Sequence, residues 1–175
     1  MKRDMSLWQL SGFGFTVLAG TLLHFLYDWT GRSTWSALIS GINESTWEHM
    51  KLLYVPLFLF AVAESFFFPE HKNFWCVKLI GTVFGLTLLP LLFYTYNGAV
   101  GPSPDWLNIA IFFIAAAAVF YLEWLLFRAD WPRRCLPRLS LGIVIGIGLF
   151  FIVFTFYPPP IPLFQDPING LYGIE

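Results

Sequence analysis

The sequence predicts an all-α, polytopic membrane protein of five transmembrane helices, with the N-terminus in the cytoplasm and the C-terminus outside. Three observations carry that prediction. Of the 175 residues, 57% are hydrophobic and only 12% are charged, about half the charge of an ordinary soluble domain. The apolar residues gather into five runs, 7–27, 52–68, 77–96, 106–127 and 139–156, each about long enough to cross a hydrocarbon core. The basic residues between the runs are uneven. Lys2, Arg3, Lys72, Lys78, Arg128, Arg133, Arg134 and Arg138 fall on one side and only Arg32 and Lys51 on the other, the bias that orients membrane proteins with the basic side inward.

The runs are too long and too evenly apolar for barrel strands, so each is expected to be a helix. The first is too long for a signal core, contains His24 and is followed by no Ala-x-Ala site, which argues for a retained helix rather than a cleaved signal peptide. The second and third contain Pro56 and Pro90, each expected to kink or end its helix. Gly81-x-x-x-Gly85 and Gly142-x-x-x-Gly146 each put two small residues on one face, which permits close helix approach. Trp8, Trp75, Trp124 and Trp131 fall at the inner boundary, Trp29 and Trp106 at the outer one. Cys76 and Cys135 fall inside, where thiols are expected to stay reduced. The whole chain reads as one domain, 1–175. Scattered basic residues leave no nucleic-acid surface.

The polar residues gather on the outer side. His24 and Asp28 close the first run four positions apart, and so share a helix face. A carboxylate beside an imidazole fixes its tautomer and raises its basicity, as in general bases and around metal ligands. The segment Asn43-Glu44-Ser45-Thr46-Trp47-Glu48-His49-Met50-Lys51 leads into the second run. Asn43 fits an N-cap, and Ser45 with Glu48 fits a capping box. Glu48 and Lys51 are placed to pair at i, i+3. Capping does not account for Glu44, Glu48, His49 and Lys51 together at the edge of hydrocarbon, where ionisable groups are costly. Antiparallel packing of the first two helices would bring His24, Asp28, Glu44, Glu48 and His49 together. Such a set can bind a divalent metal, zinc, iron or manganese, with His24, Asp28, Glu48 and His49 as the ligand candidates. The spacing matches no strong metal motif, and His71 falls on the other side.

Glu64 and Glu123 lie near inner helix ends. They read as carboxylates reaching the inner interface, with pairing across helices as the alternative. Tyr94, Tyr96 and Asn97 read as interface anchors. The outer tail, with Asp166, Asn169-Gly170, Tyr172 and Gly173, is rich enough in turn residues to fold back as a lid; a free terminus is the alternative.

His24-Phe25-x-Tyr27-Asp28-Trp29, Asn43-Glu44-Ser45-x-Trp47-Glu48-His49-x-Lys51 and Asp166-Pro167-x-x-Gly170-x-Tyr172-Gly173 resemble a family of small bacterial integral membrane proteins of unknown function. The resemblance implies a multi-pass protein of the bacterial cytoplasmic membrane with its distinctive residues outside. It implies no activity.

Three functions are expected from the residues. The first is binding or transport of an ion or polar headgroup at the outer ends of helices 1 and 2. The second is a membrane-embedded enzyme acting on a lipid-like substrate. There His24 or His49 is the base, oriented by Asp28, Glu44 or Glu48 is an acid, base or ligand, and Lys51 stabilises negative charge. The third is an accessory subunit. No complete catalytic motif is present, which ranks binding ahead of catalysis. The partners expected are the bilayer and a lipid or small polar ligand, with a second copy of the chain as an open alternative.

Overall fold

Lipid offers backbone N–H and C=O groups no partner, and every apolar run is accordingly helical. A computed structural model describes residues 5–174; Lys2 and Arg3, two of the basic residues counted above, lie outside the described residues. The helices are α1 (Met5–Trp29), the single turn α2 (Thr34–Ala37), α3 (Thr46–Ser65), α4 (Phe74–Ala99), α5 (Asp105–Arg128) and α6 (Pro137–Phe156), followed by a 3-10 turn, Pro162–Phe164. No strand occurs among the described residues. Four helices, α1, α4, α5 and α6, are long and apolar enough to cross a membrane. The chain is therefore a multi-pass membrane protein in a lipid environment.

The second apolar run lies on α3, which starts at Thr46 rather than 52 and stops at Ser65 rather than 68. Its earlier start takes Glu48, His49 and Lys51 into the helix. This helix stands in the middle of the bundle and touches α1, α4, α5 and α6. Leu53, Tyr54 and Leu57 of α3 pack with Ala115, Ala116 and Val119 of α5 and Val144 and Phe151 of α6. Central placement explains how a helix with ionisable groups fits among apolar ones: its polar side chains face protein rather than lipid.

Gly85 works as expected, since a Cβ there would collide with Val119 of α5, and one on Gly81 would meet Glu123 Oε1 at 2.5 Å. The second glycine pair does not. Gly142 and Gly146 face open space, and Gly148 is the α6 glycine that approaches a neighbour, at Tyr54. Neither proline ends its helix: α3 continues through Pro56 and α4 through Pro90.

Two expectations are corrected at the arginine-rich end of the bundle. Glu64, Glu123 and Lys78 do not reach an interface; all three are buried. Lys78 Nζ lies between the two carboxylates, 2.6 Å from Glu64 and 2.5 Å from Glu123, because Gly81 lets Glu123 close onto α4. Cys76 and Cys135 are joined by a disulfide rather than free. It ties the first turn of α4 to the α5–α6 loop, which the packing of α4 against α6 brings together.

Candidate functional site

At the other end, α1 stops and α3 starts side by side, and the loop between them places the acidic residue. Ser45 is the N-cap of α3, its side chain accepting the Glu48 N–H at 3.3 Å. Asn43 instead folds the loop, its Oδ1 accepting the Ser45 N–H at 3.0 Å. Glu44 is thereby held just outside the helix, between two imidazoles. His24 Nε2 lies 3.5 Å from Glu44 Oε1, and His49 Nε2 lies 3.6 Å from Glu44 Oε2. The two rings are 5.7 Å apart. His49 Nδ1 lies 3.0 Å from the Ser45 carbonyl oxygen. A carbonyl only accepts, so Nδ1 carries the hydrogen, and a neutral ring then has its lone pair on Nε2, the atom nearer Glu44.

These three side chains can hold a metal ion. One ligand atom from each of His24, Glu44 and His49 lies within 4.8 Å of the others. Around a tetrahedral ion with bonds of about 2.0–2.2 Å, ligand atoms stand roughly 3.3–3.6 Å apart; each imidazole is at that spacing from a different oxygen of the one carboxylate, His24 Nε2 3.5 Å from Oε1 and His49 Nε2 3.6 Å from Oε2. A ligating histidine ordinarily donates its second ring N–H to a carbonyl or carboxylate, and Ser45 supplies such a carbonyl to His49. Two histidines and one carboxylate leave a fourth position free, the plan of open metal sites.

The other candidates are placed elsewhere. Asp28 turns outward to Arg32, with its Oδ1 3.4 Å from Arg32 Nε and both side chains well exposed; it does not orient His24. Glu48 and Lys51 point into the bundle, 2.6 Å apart and almost without exposure. Lys51 Nζ also donates to the Ala37 carbonyl at 2.9 Å and to Thr155 Oγ1 at 2.8 Å. Thr155 in turn donates to Glu48 Oε1 at 3.1 Å, and the Ile42 N–H donates to Glu48 Oε2 at 3.2 Å. All three ammonium protons have partners. This closed network fastens the first loop, α3 and α6 together. Glu48 is not among the side chains that converge on a metal position, and Lys51 has no ammonium proton left for a substrate.

A cavity of about 240 Å³ adjoins His49, between the start of α3, the end of α4 and the start of α5. Glu44 and His49 form part of one wall. The opposite wall is a polar chain that sequence reasoning missed. Asn97 Oδ1 accepts the Ser103 N–H at 3.0 Å, and Ser103 Oγ donates to Asn108 Oδ1 at 2.7 Å. The irregular Gly-Pro turn after α4 was the available signal, because such turns expose backbone that asparagine and serine satisfy. Leu89, Phe93 and Phe112 line the apolar part. The tail folds back, as the lid reading expected. Phe164 is buried against Trp47 and Phe154, the Gly173 carbonyl accepts from Asn43 Nδ2 at 3.2 Å, and Pro167 and Ile168 cover the cavity.

A model of a family of unknown function, DUF6512, matches residues 1–174. No curated protein and no solved structure matches the chain.

Proposed function

We propose, for a chain that belongs to DUF6512, a family of unknown function, that it binds a divalent transition metal ion at the membrane surface through His24, Glu44 and His49. The observation that carries this reading is the approach of both Nε2 atoms to one carboxylate at 3.5 and 3.6 Å, with the His49 tautomer set by Ser45. Zinc suits two imidazoles and a carboxylate best, since it accepts four-coordinate sites with one open position. The open position would face the adjoining cavity, where a small polar or amphiphilic ligand could reach it.

In this reading α3 is a fifth span. Its 20 residues cover about 30 Å, and its charges are paired inside the bundle. The N-terminus lies in the cytoplasm and the metal site outside. With Lys51 and Lys78 buried, the described loops carry Lys72, Arg128, Arg133, Arg134 and Arg138 at one end and Arg32 at the other, which supports that orientation. The resemblance to small bacterial membrane proteins supports the cytoplasmic membrane of a bacterium.

A second reading, metal-assisted hydrolysis of a lipid-like substrate, is favoured by the mixed lining of the cavity. Glu44 and His49 stand on one side, and Leu89, Phe93 and Phe112 provide an apolar slot. A metal-bound water at the open position would be the nucleophile.

The test is a zinc titration of the purified, chelator-stripped protein in lipid nanodiscs, with elemental analysis. One ion per chain is expected. His24→Ala, Glu44→Gln and His49→Ala should each lose it, and Asp28→Ala should retain it. Absence of stoichiometric metal in the parent protein sinks the proposal, as does equal binding by the three ligand variants.

A further inference from the structure

The metal reading leaves unused the cluster at the arginine-rich end. Glu64 of α3, Lys78 of α4 and Glu123 of α5 are 0%, 3% and 1% exposed. The rings of Phe74, Phe120 and Phe127 stand 5.5, 5.8 and 5.7 Å from the ammonium. They favour a cation there and keep water away. Charge counting sets this cluster apart from Glu48–Lys51. That pair is neutral, whereas two carboxylates around one ammonium leave one negative charge without a counter-charge, deep in protein.

Nothing else among the described residues supplies the missing charge. From α1 the cluster receives only the neutral Gln9, whose Nε2 donates to Glu64 Oε1 at 3.0 Å. The His71 ring stands against the Phe127 ring, 5.5 Å from its centre. Arg128 turns to the Trp124 ring instead. Burying an unpaired carboxylate is costly enough that such a group takes up a proton, and two carboxylates sharing a site ionise one at a time.

One acceptor at the same spot lacks a hydrogen: Gln9 Oε1 has no partner, while Glu64 Oε2 is met by the Lys78 ammonium at 2.6 Å. A carboxyl proton is the donor that such an arrangement lacks. Gln9, only 4% exposed, stands at the back of an open, mostly apolar groove of about 370 Å³ between α1 and α5, with Ser6, Leu10, Phe13, Phe120, Tyr121 and Trp124.

We propose that Glu64, Lys78 and Glu123 form a proton-binding site, which holds one proton between its two carboxylates at neutral pH and exchanges it through Gln9 and the α1–α5 groove. The step is simple in its balance. A water or hydronium in the groove gives up a proton, an O–H bond forms on a carboxylate, and the cluster becomes neutral. The site is independent of the metal.

Infrared spectroscopy of the parent protein in nanodiscs at neutral pH reads this directly. A protonated-carboxyl carbonyl band, one per chain, is expected, shifting when the water is replaced by heavy water. Glu64→Gln and Glu123→Gln should each abolish it, because Lys78 then balances the one carboxylate left. Both variants should fold, glutamine being close in shape to a protonated glutamate. Gln9→Leu should keep the band and slow its isotope shift. No such band in the parent protein, or a band that persists in either glutamine variant, overturns the site. An unaltered exchange rate in Gln9→Leu overturns the route.

Discussion

The carbonyl oxygen of Ser45 lies 3.0 Å from Nδ1 of His49, one helical turn ahead of it. Ser45 therefore has two separable tasks: its side chain caps α3, and its main chain orients a metal ligand. Ser45→Ala removes only the first. The variant should lose about 1 kcal/mol of stability, read as a lower melting temperature in detergent, while its zinc affinity stays at the parent value. An affinity as poor as that of His49→Ala would assign the orienting role to the hydroxyl.

Lys51 and Asp28 both belong to the polar segments, yet their substitutions should differ sharply. Lys51→Met leaves Glu48 buried without its counter-charge, a loss of roughly 3–5 kcal/mol. Pairing it with Glu48→Leu should restore much of that. Asp28→Ala breaks only an exposed pair and should cost under about 1 kcal/mol. Urea or thermal unfolding of the three variants gives the ranking.

Glycine at position 85 lets α4 and α5 touch, whereas Gly142 touches nothing. Gly85→Ala should destabilise the bundle by about 1–3 kcal/mol through overpacking against Val119. Gly142→Ala should be neutral or slightly stabilising, since alanine favours a helix interior by about 0.5–1 kcal/mol. Melting of the two purified variants checks the contrast.

The orientation proposed here puts the Cys76–Cys135 pair at the cytoplasmic face, where reduction is the rule. The disulfide seen in the structure makes accessibility, rather than redox state, the test of that orientation. A membrane-impermeant reductant followed by a membrane-impermeant alkylating reagent should leave both cysteines of intact cells unlabelled, and labelling of the pair under those conditions would reverse the orientation.

Helix positions were legible in the sequence because lipid allows an apolar run no other backbone. What was not legible was which side of each helix faces protein. Glu48 and His49 are neighbours in sequence and both polar, yet one enters a closed buried network and the other faces a cavity. Lys78 read as a loop charge because a cation in an apolar run usually reaches for the interface; the two carboxylates that hold it come from helices far away in sequence. Asp28 had the right spacing to His24, but spacing on one helix could not anticipate that Glu44, from the following loop, would come closer. The convergence of His24 with the second segment was legible, since it needs only that two antiparallel helices pack.

The bond from Asn43 to the Gly173 carbonyl spans 130 positions. The loop that carries Glu44 is thus synthesised long before the residue that clasps it. While the chain is being inserted, the two histidines and the glutamate are already present but the loop is unbraced, and the cavity has no cover. The metal centre proposed here would reach its final geometry only once Gly173 has been made and has closed onto Asn43.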